Sequence, residues 1–160
     1  MDDIDYGLNY RLIEPGYEIY SRMGLYEREL SSFKQSAIIE NDQFYGCLNC
    51  HEHNMGDPDH MNLHIRGKLG CTVIQNGDDV ATYNTKTDST ISFCAFCYWH
   101  PGGRYLAYST NKSQQGFHIQ KDKILEVNEA DSDVQIYNFE TGCLMANEAV
   151  KSTEWQETYP

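Results

Sequence analysis

A mainly β chain is the fold class this sequence predicts, and three features predict it. Asn76-Gly77 lies between two short runs rich in β-branched and aromatic residues, 71–75 and 80–84, and Asn-Gly is the strongest short hairpin signal. Residues 133–138 alternate apolar and polar side chains and run into a turn at Glu140-Thr141-Gly142. Residues 105–109 form a further apolar run, placed directly after the turn-forming Pro101-Gly102-Gly103.

Three segments follow along the chain. Residues 1–45 lack clean periodicity and read as an irregular N-terminal arm, in which residues 20–30 suit a short helical turn weakened by Gly24. Residues 46–70 are rich in His, Asp, Asn and Gly, as a site-bearing loop or short helix would be. Pro58 marks a turn or a helix start there. Residues 71–160 carry the β texture: strand, tight turn, strand, a longer excursion, strand, tight turn, and a returning strand at 143–146. That order describes propeller blades. A blade takes about 40 to 45 residues and closed propellers have typically four to eight. This stretch therefore supplies about two blades, a partial propeller preceded by an irregular, partly helical segment. The expectation is the N-terminal part of a larger propeller or a truncated reading frame.

Composition narrows the function classes. Twenty-four acidic residues against twelve basic ones give a net charge of −12, which disfavours nucleic acid and anionic membrane surfaces as partners. The same acidity suits steering towards a basic protein partner, or simply solubility. No apolar run approaches the roughly 18 residues that span a bilayer, so no membrane insertion is expected.

The most specific chemistry lies at Cys47-Leu48-Asn49-Cys50-His51. This is C-x-x-C-H, the attachment pattern of a c-type haem. Each cysteine sulfur can form a thioether to one porphyrin vinyl group, and the adjacent His51 can offer a neutral imidazole to the iron. Candidates for a second axial ligand are His53, Met55, His60, Met61 and His64. His53 stands too near His51 to reach the opposite face easily, and Met55 is also close in sequence. Arg66 is a candidate partner for a haem propionate.

Zinc is the competing reading. Cys47 and Cys50 followed by His60 and His64 have the outline of a two-cysteine, two-histidine site, but the nine-residue spacer is shorter than the usual ~12. Four cysteines, Cys47, Cys50, Cys94 and Cys97, offer another donor set. Cys94 and Cys97 match a redox C-x-x-C only in spacing, since a Trp-His-Pro turn follows them instead of a helix. A disulfide or a buried thiol pair fits them better. Cys71 and Cys143 fall in expected strands as core residues. His100 and His118 have no spacing-matched partner, and no phosphate loop, serine elbow or spaced carboxylate pair stands out. A catalytic function is accordingly not indicated.

The run Trp99-His100-Pro101-Gly102-Gly103-Arg104-Tyr105-Leu106-Ala107-Tyr108-Ser109 resembles the W-x-P-D-G-x-x-I-A-Y/F-S signature of WD40-like repeats in TolB-type β-propellers. The run from Asp133 to Gly142 resembles the strand and turn that follow in such blades. With Glu14-Pro15-Gly16-Tyr17-Glu18, the C-x-x-C-H motif and His64-Ile65-Arg66-Gly67, the chain is similar to TolB-like propellers of the bacterial cell envelope that carry one c-type haem motif. The likeness spans most of residues 10–160, and residues 155–160 resemble the lead-in to a further blade. It departs where His100 and Gly102 replace the usual Ser and Asp.

The resemblance implies one covalent haem c, a periplasmic or other extracytoplasmic location, and electron transfer or haem sensing with the propeller as a protein-binding platform. It also places His64 first and Met61 second as the further axial ligand. The acidic N-terminus, Met1-Asp2-Asp3-Ile4-Asp5, has no apolar h-region and is not an export signal. A cytoplasmic location follows if the haem reading fails. The chain is then a non-enzymatic propeller module with a structural zinc or disulfide site. A haem enzyme with an open coordination position is the third possibility.

Overall fold

The computed structural model describes residues 6–13, 22–120 and 123–145. They form eleven strands in three sheets: β1 (Gly7–Ile13), β2 (Met23–Glu29), β3 (Gln35–Glu40), β4 (Cys47–His53), β5 (His60–Arg66), β6 (Cys71–Asn76), β7 (Asp79–Tyr83), β8 (Cys94–Trp99), β9 (Tyr105–Gln120), β10 (Lys123–Asn138) and β11 (Cys143–Leu144). The sheets run in chain order as β1-β2-β3, β4-β5-β6-β7 and β8-β9-β10-β11. The mainly β class is therefore as expected, and no closed ring of blades forms among the described residues. None of the described helices is long and apolar enough to cross a membrane.

The described residues fall into two compact units. One runs to Asn49 and adds His64–Gly70; the other holds Cys50–Leu63 and the chain from Cys71 onward.

The expected helical turn at residues 20–30 is corrected. Residues 20 and 21 lie outside the described residues, and Met23–Glu29 is the middle strand of the first sheet, pairing Tyr26 with Tyr10 and with Ala37. Met23, Gly24 and Leu25 are all buried, so it is the pairing on both sides, and not a burial period, that marks the strand. Tyr10 and Tyr26 stack at 6.3 Å between ring centroids. At the end of this sheet Glu40 accepts hydrogen bonds from the Tyr26 hydroxyl and Arg22, which hold its carboxyl below the usual range.

Residues 46–70 are likewise not a loop or helix but two strands joined by a short 3-10 turn at Asn54–Gly56. Pro58 sits in the turn, where Asp57 accepts the backbone N–H groups of Asp59 and His60. The hairpin at Asn76 forms as expected, with Asn76 paired to Asp79 across Gly77 and Asp78. Positive φ is confined to Gly77, the first central residue, as in a type II′ turn.

The longer excursion expected between residues 109 and 133 is instead a continuous hairpin. β9 and β10 pair from Tyr105–Asn138 out to Gln120–Lys123, with a register shift between Glu129 and Asp131. Lys112–Gln114 and Glu126–Asn128 are exposed, so along these stretches backbone hydrogen bonding, not burial, joins the two strands. The turn at Glu140–Gly142 follows from Asn138, whose side-chain oxygen accepts the N–H groups of Glu140 and Thr141.

Two exposed side chains sit on left-handed backbone: Tyr45 (φ 51°, 89% exposed) and Met55 (φ 53°, 77% exposed). An L-residue pays about 1–2 kcal/mol there, and little packing offsets it. Tyr45→Gly and Met55→Gly should each raise unfolding stability in urea by about 0.5–1 kcal/mol; a loss of stability in both would show that these side chains pack after all.

Candidate functional site

The C-x-x-C-H residues lie on β4, the edge strand of the second sheet. Leu48 is buried and anchors the strand, while Cys47, Cys50 and His51 are half-buried. In the first unit, Arg11 of β1 holds the two residues between the cysteines. Its guanidinium donates to Leu48 O at 2.9 Å and to Asn49 Oδ1 at 2.8 Å. Sequence reasoning missed Arg11, because nothing local links it to a motif 37 positions away. In the second unit, Cys50 takes φ 46°, a left-handed value rare outside glycine, and interrupts the alternation of β4 just before His51.

The donor chemistry suits a c-type haem. None of the six cysteines is in a disulfide, those of the motif are partly accessible, and an imidazole follows directly. The candidates for a second axial ligand are differently placed. Met61 and His64 lie on β5, an inner strand, and are 5% and 2% exposed. Arg66, at the end of the same strand, is half-buried. His53 binds Asp57 O through Nδ1 at 3.0 Å.

His60 is a packing residue. Its ring meets Trp99 edge-on at 4.3 Å, and Asn54 Nδ2 lies 3.5 Å from its Nδ1. Among the described residues no group of three or more His, Cys, Asp or Glu side chains is arranged to hold a metal ion. Neither of the two zinc donor sets is therefore brought together.

Trp99 is buried with Ile74 and Leu106, and Tyr83, Cys97 and Phe139 pack against that cluster. Phe139 stacks on the indole at 5.0 Å. In the turn that follows, His100 takes over side-chain capping: its Nδ1 accepts the Gly102 N–H at 3.1 Å, and Gly103 N–H donates to His100 O at 2.8 Å.

Beside Trp99 lies a buried polar cluster in the second unit. Glu52, next to His51 on β4, accepts the backbone N–H of Trp99; burial raises its pKa and that bond partly opposes the rise. Cys94 and Cys97 on β8 bring their sulfurs to 3.0 Å. The Cys97 thiol is held well above its usual range, first by the hydrogen bond with Cys94, then by burial, and further by the charges of Cys94 and Glu52; Asn62 opposes this. Tyr108, fully buried on β9, has its hydroxyl pKa pushed up by burial and by the nearby thiols. Thr85 positions Cys94 by accepting its backbone N–H at 3.0 Å while pairing with the Thr72 hydroxyl at 3.2 Å.

Comparison of the chain with protein-family models, curated proteins and solved structures finds no match.

The Trp99 turn makes a sharp prediction. Gly103 (φ +67°) backs onto His60, so that an added Cβ would stand 2.9 Å from its Cε1, whereas Gly77 (φ +62°) faces open space. Gly77→Ala should cost about 1 kcal/mol of backbone strain. Gly103→Ala should cost about 2–3 kcal/mol, because the clash adds to the strain. Urea unfolding of the two variants measures the difference, and equal costs would show that His60 moves aside freely.

Proposed function

We propose that this chain carries a covalent haem c on Cys47 and Cys50, with His51 as an axial ligand. It would serve electron transfer or haem-based sensing at the cell envelope, as part of a TolB-like propeller that offers a protein-binding platform. The observation that carries this reading is the display of C-x-x-C-H, with partly accessible cysteines outside any disulfide, on an edge strand of a sheet. The two successive four-stranded meanders, β4–β7 and β8–β11, have the strand count of propeller blades and support the architecture. An apolar groove of about 450 Å³, lined by Tyr98, Trp99, Pro101, Tyr105, Ile136 and Met145, suits the stacking of a further blade or a partner. The net charge of −12 favours a basic redox partner.

A bound haem supplies a one-electron ferric/ferrous couple. The chain's own contribution is anchorage by two sulfurs, ligation by a neutral His51, and a guanidinium at Arg66 suited to a carboxylate. Cys47, Cys50 and His51 would hold the group, and the further candidates His64 and Met61 are both enclosed by protein on β5. A haem held without them would be able to bind a small ligand, which supports sensing beside electron transfer.

The second reading, a non-enzymatic module with a structural zinc or disulfide site at the Cys47–His51 cluster, gains no support from a metal-donor group or a disulfide among the described residues.

The test is expression in a periplasm with the c-type haem maturation system, followed by acid–acetone extraction and a pyridine haemochrome spectrum. A c-type haemochrome that survives extraction and vanishes in Cys47→Ala/Cys50→Ala is expected. Carbon monoxide should then shift the spectrum of the reduced protein. A colourless protein obtained in normal yield would overturn the haem reading.

A further inference from the structure

Cys94 and Cys97 are three residues apart on one strand, and in regular β structure such residues project to opposite faces. Here they do not, because β8 carries an extra residue. Ala95 pairs with Ser109 and Cys97 with Tyr108, so Phe96 has no partner in the ladder, and it takes φ 45°. Cys94 pairs with Thr110 and Cys97 with Tyr108, so the two cysteines occupy positions two steps apart on the facing strand. The bulge thereby puts both side chains on one face, with their sulfurs 3.0 Å apart. The surroundings are built for a pair. Cys94 is fully buried, and Thr85 accepts its backbone N–H. Asn62 is fully buried nearby, and neither polar atom of its amide has a hydrogen-bond partner among the described residues. The Tyr108 hydroxyl, buried on the strand opposite, has no hydrogen-bond partner among the described residues.

We propose that Cys94 and Cys97 are a reversible dithiol–disulfide couple seated on the β8 bulge, exchanging with low-molecular-weight or protein disulfides. Cys97, the partly accessible member, attacks in the small fraction that is deprotonated, because its thiol is held above the usual range, so exchange quickens as pH rises. Its sulfur bonds to one sulfur of the oxidant disulfide, and the other leaves as a thiolate that takes up the released proton. Cys94, deprotonated in turn, attacks the Cys97 sulfur of this mixed disulfide and expels the second thiol. One oxidant S–S bond is broken, one Cys94–Cys97 S–S bond forms, and two electrons and two protons pass from the cysteine pair to the two departing thiols. The closing sulfurs are already in contact, so the second step requires no strand to unpair. This couple does not rest on the haem reading, because it uses neither Cys47 nor Cys50.

The test equilibrates the full chain in buffers of graded reduced and oxidised glutathione, quenches it with acid, alkylates in denaturant and digests with trypsin. Residues 87–104 form one tryptic peptide holding Cys94 and Cys97 and no other cysteine. Under oxidising conditions that peptide should carry no alkyl group and be two hydrogens lighter; under reducing conditions it should carry two alkyl groups. The oxidised fraction at intermediate poise should correspond to an equilibrium constant on the order of tenfold or more higher in the folded chain than in the same chain kept in urea. A peptide doubly alkylated at every poise would overturn the proposal, and so would equal oxidation of folded and urea-treated chain, since the bulge would then contribute nothing. Bridging of Cys94 or Cys97 to Cys71 or Cys143 would also overturn it.

Discussion

The burial of Trp99 is the constraint on which the second unit depends. Its indole gathers Ile74 of β6, Leu106 of β9 and Phe139 beyond β10, and it receives the edge of His60 from β5. Its backbone N–H binds Glu52, which adjoins the motif imidazole of His51. One side chain thus gathers elements from two four-stranded sheets, while the backbone of the same residue meets Glu52 beside His51. Burying so large a ring removes more apolar surface from water than any neighbouring aliphatic residue can. The indole N–H has no hydrogen-bond partner among the described residues, so this burial is driven by packing and not by polar pairing.

Both C-x-x-C segments share a backbone device. Each lies on a strand with one left-handed residue, Cys50 on β4 and Phe96 on β8. A strict strand alternates its side chains, and a three-residue spacing is then the wrong period for shared chemistry. A single left-handed residue resets the alternation at a cost of about 1–2 kcal/mol. On β8 the register shows the result directly, since Phe96 drops out of the ladder and the sulfurs meet. Strain of this sort gathers where a site needs side chains that regular secondary structure would separate.

What could be read from the sequence was what local chemistry dictates. The hairpin at Gly77, the turn before Tyr105 and the turn at Gly142 all announce themselves through residues that tolerate positive φ. The strands β4 and β5 were not legible, because β5 buries Asn62 and His64 alongside Met61, Leu63 and Ile65, which erases the alternation that marks a half-exposed strand. The first sheet was hidden for a different reason: its strands are defined by partners far along the chain, as Tyr10 and Tyr26 show. The long β9–β10 arm has exposed polar side chains on both strands, so only its backbone pairing identifies it. At the candidate site the C-x-x-C-H spacing was fully visible, whereas Arg11, the left-handed Cys50 and the enclosure of His64 belong to tertiary structure alone.

The most direct test of this account is native-state hydrogen exchange on Trp99→Leu, comparing the amides of β6, in the second sheet, with those of β9 from Tyr105 to Thr110, in the third. If Trp99 binds both sheets into one core, protection should fall in both strands together and by similar factors. Protection lost in β9 but retained in β6 would contradict the account, because the second sheet would then be stable without the residue held to organise it.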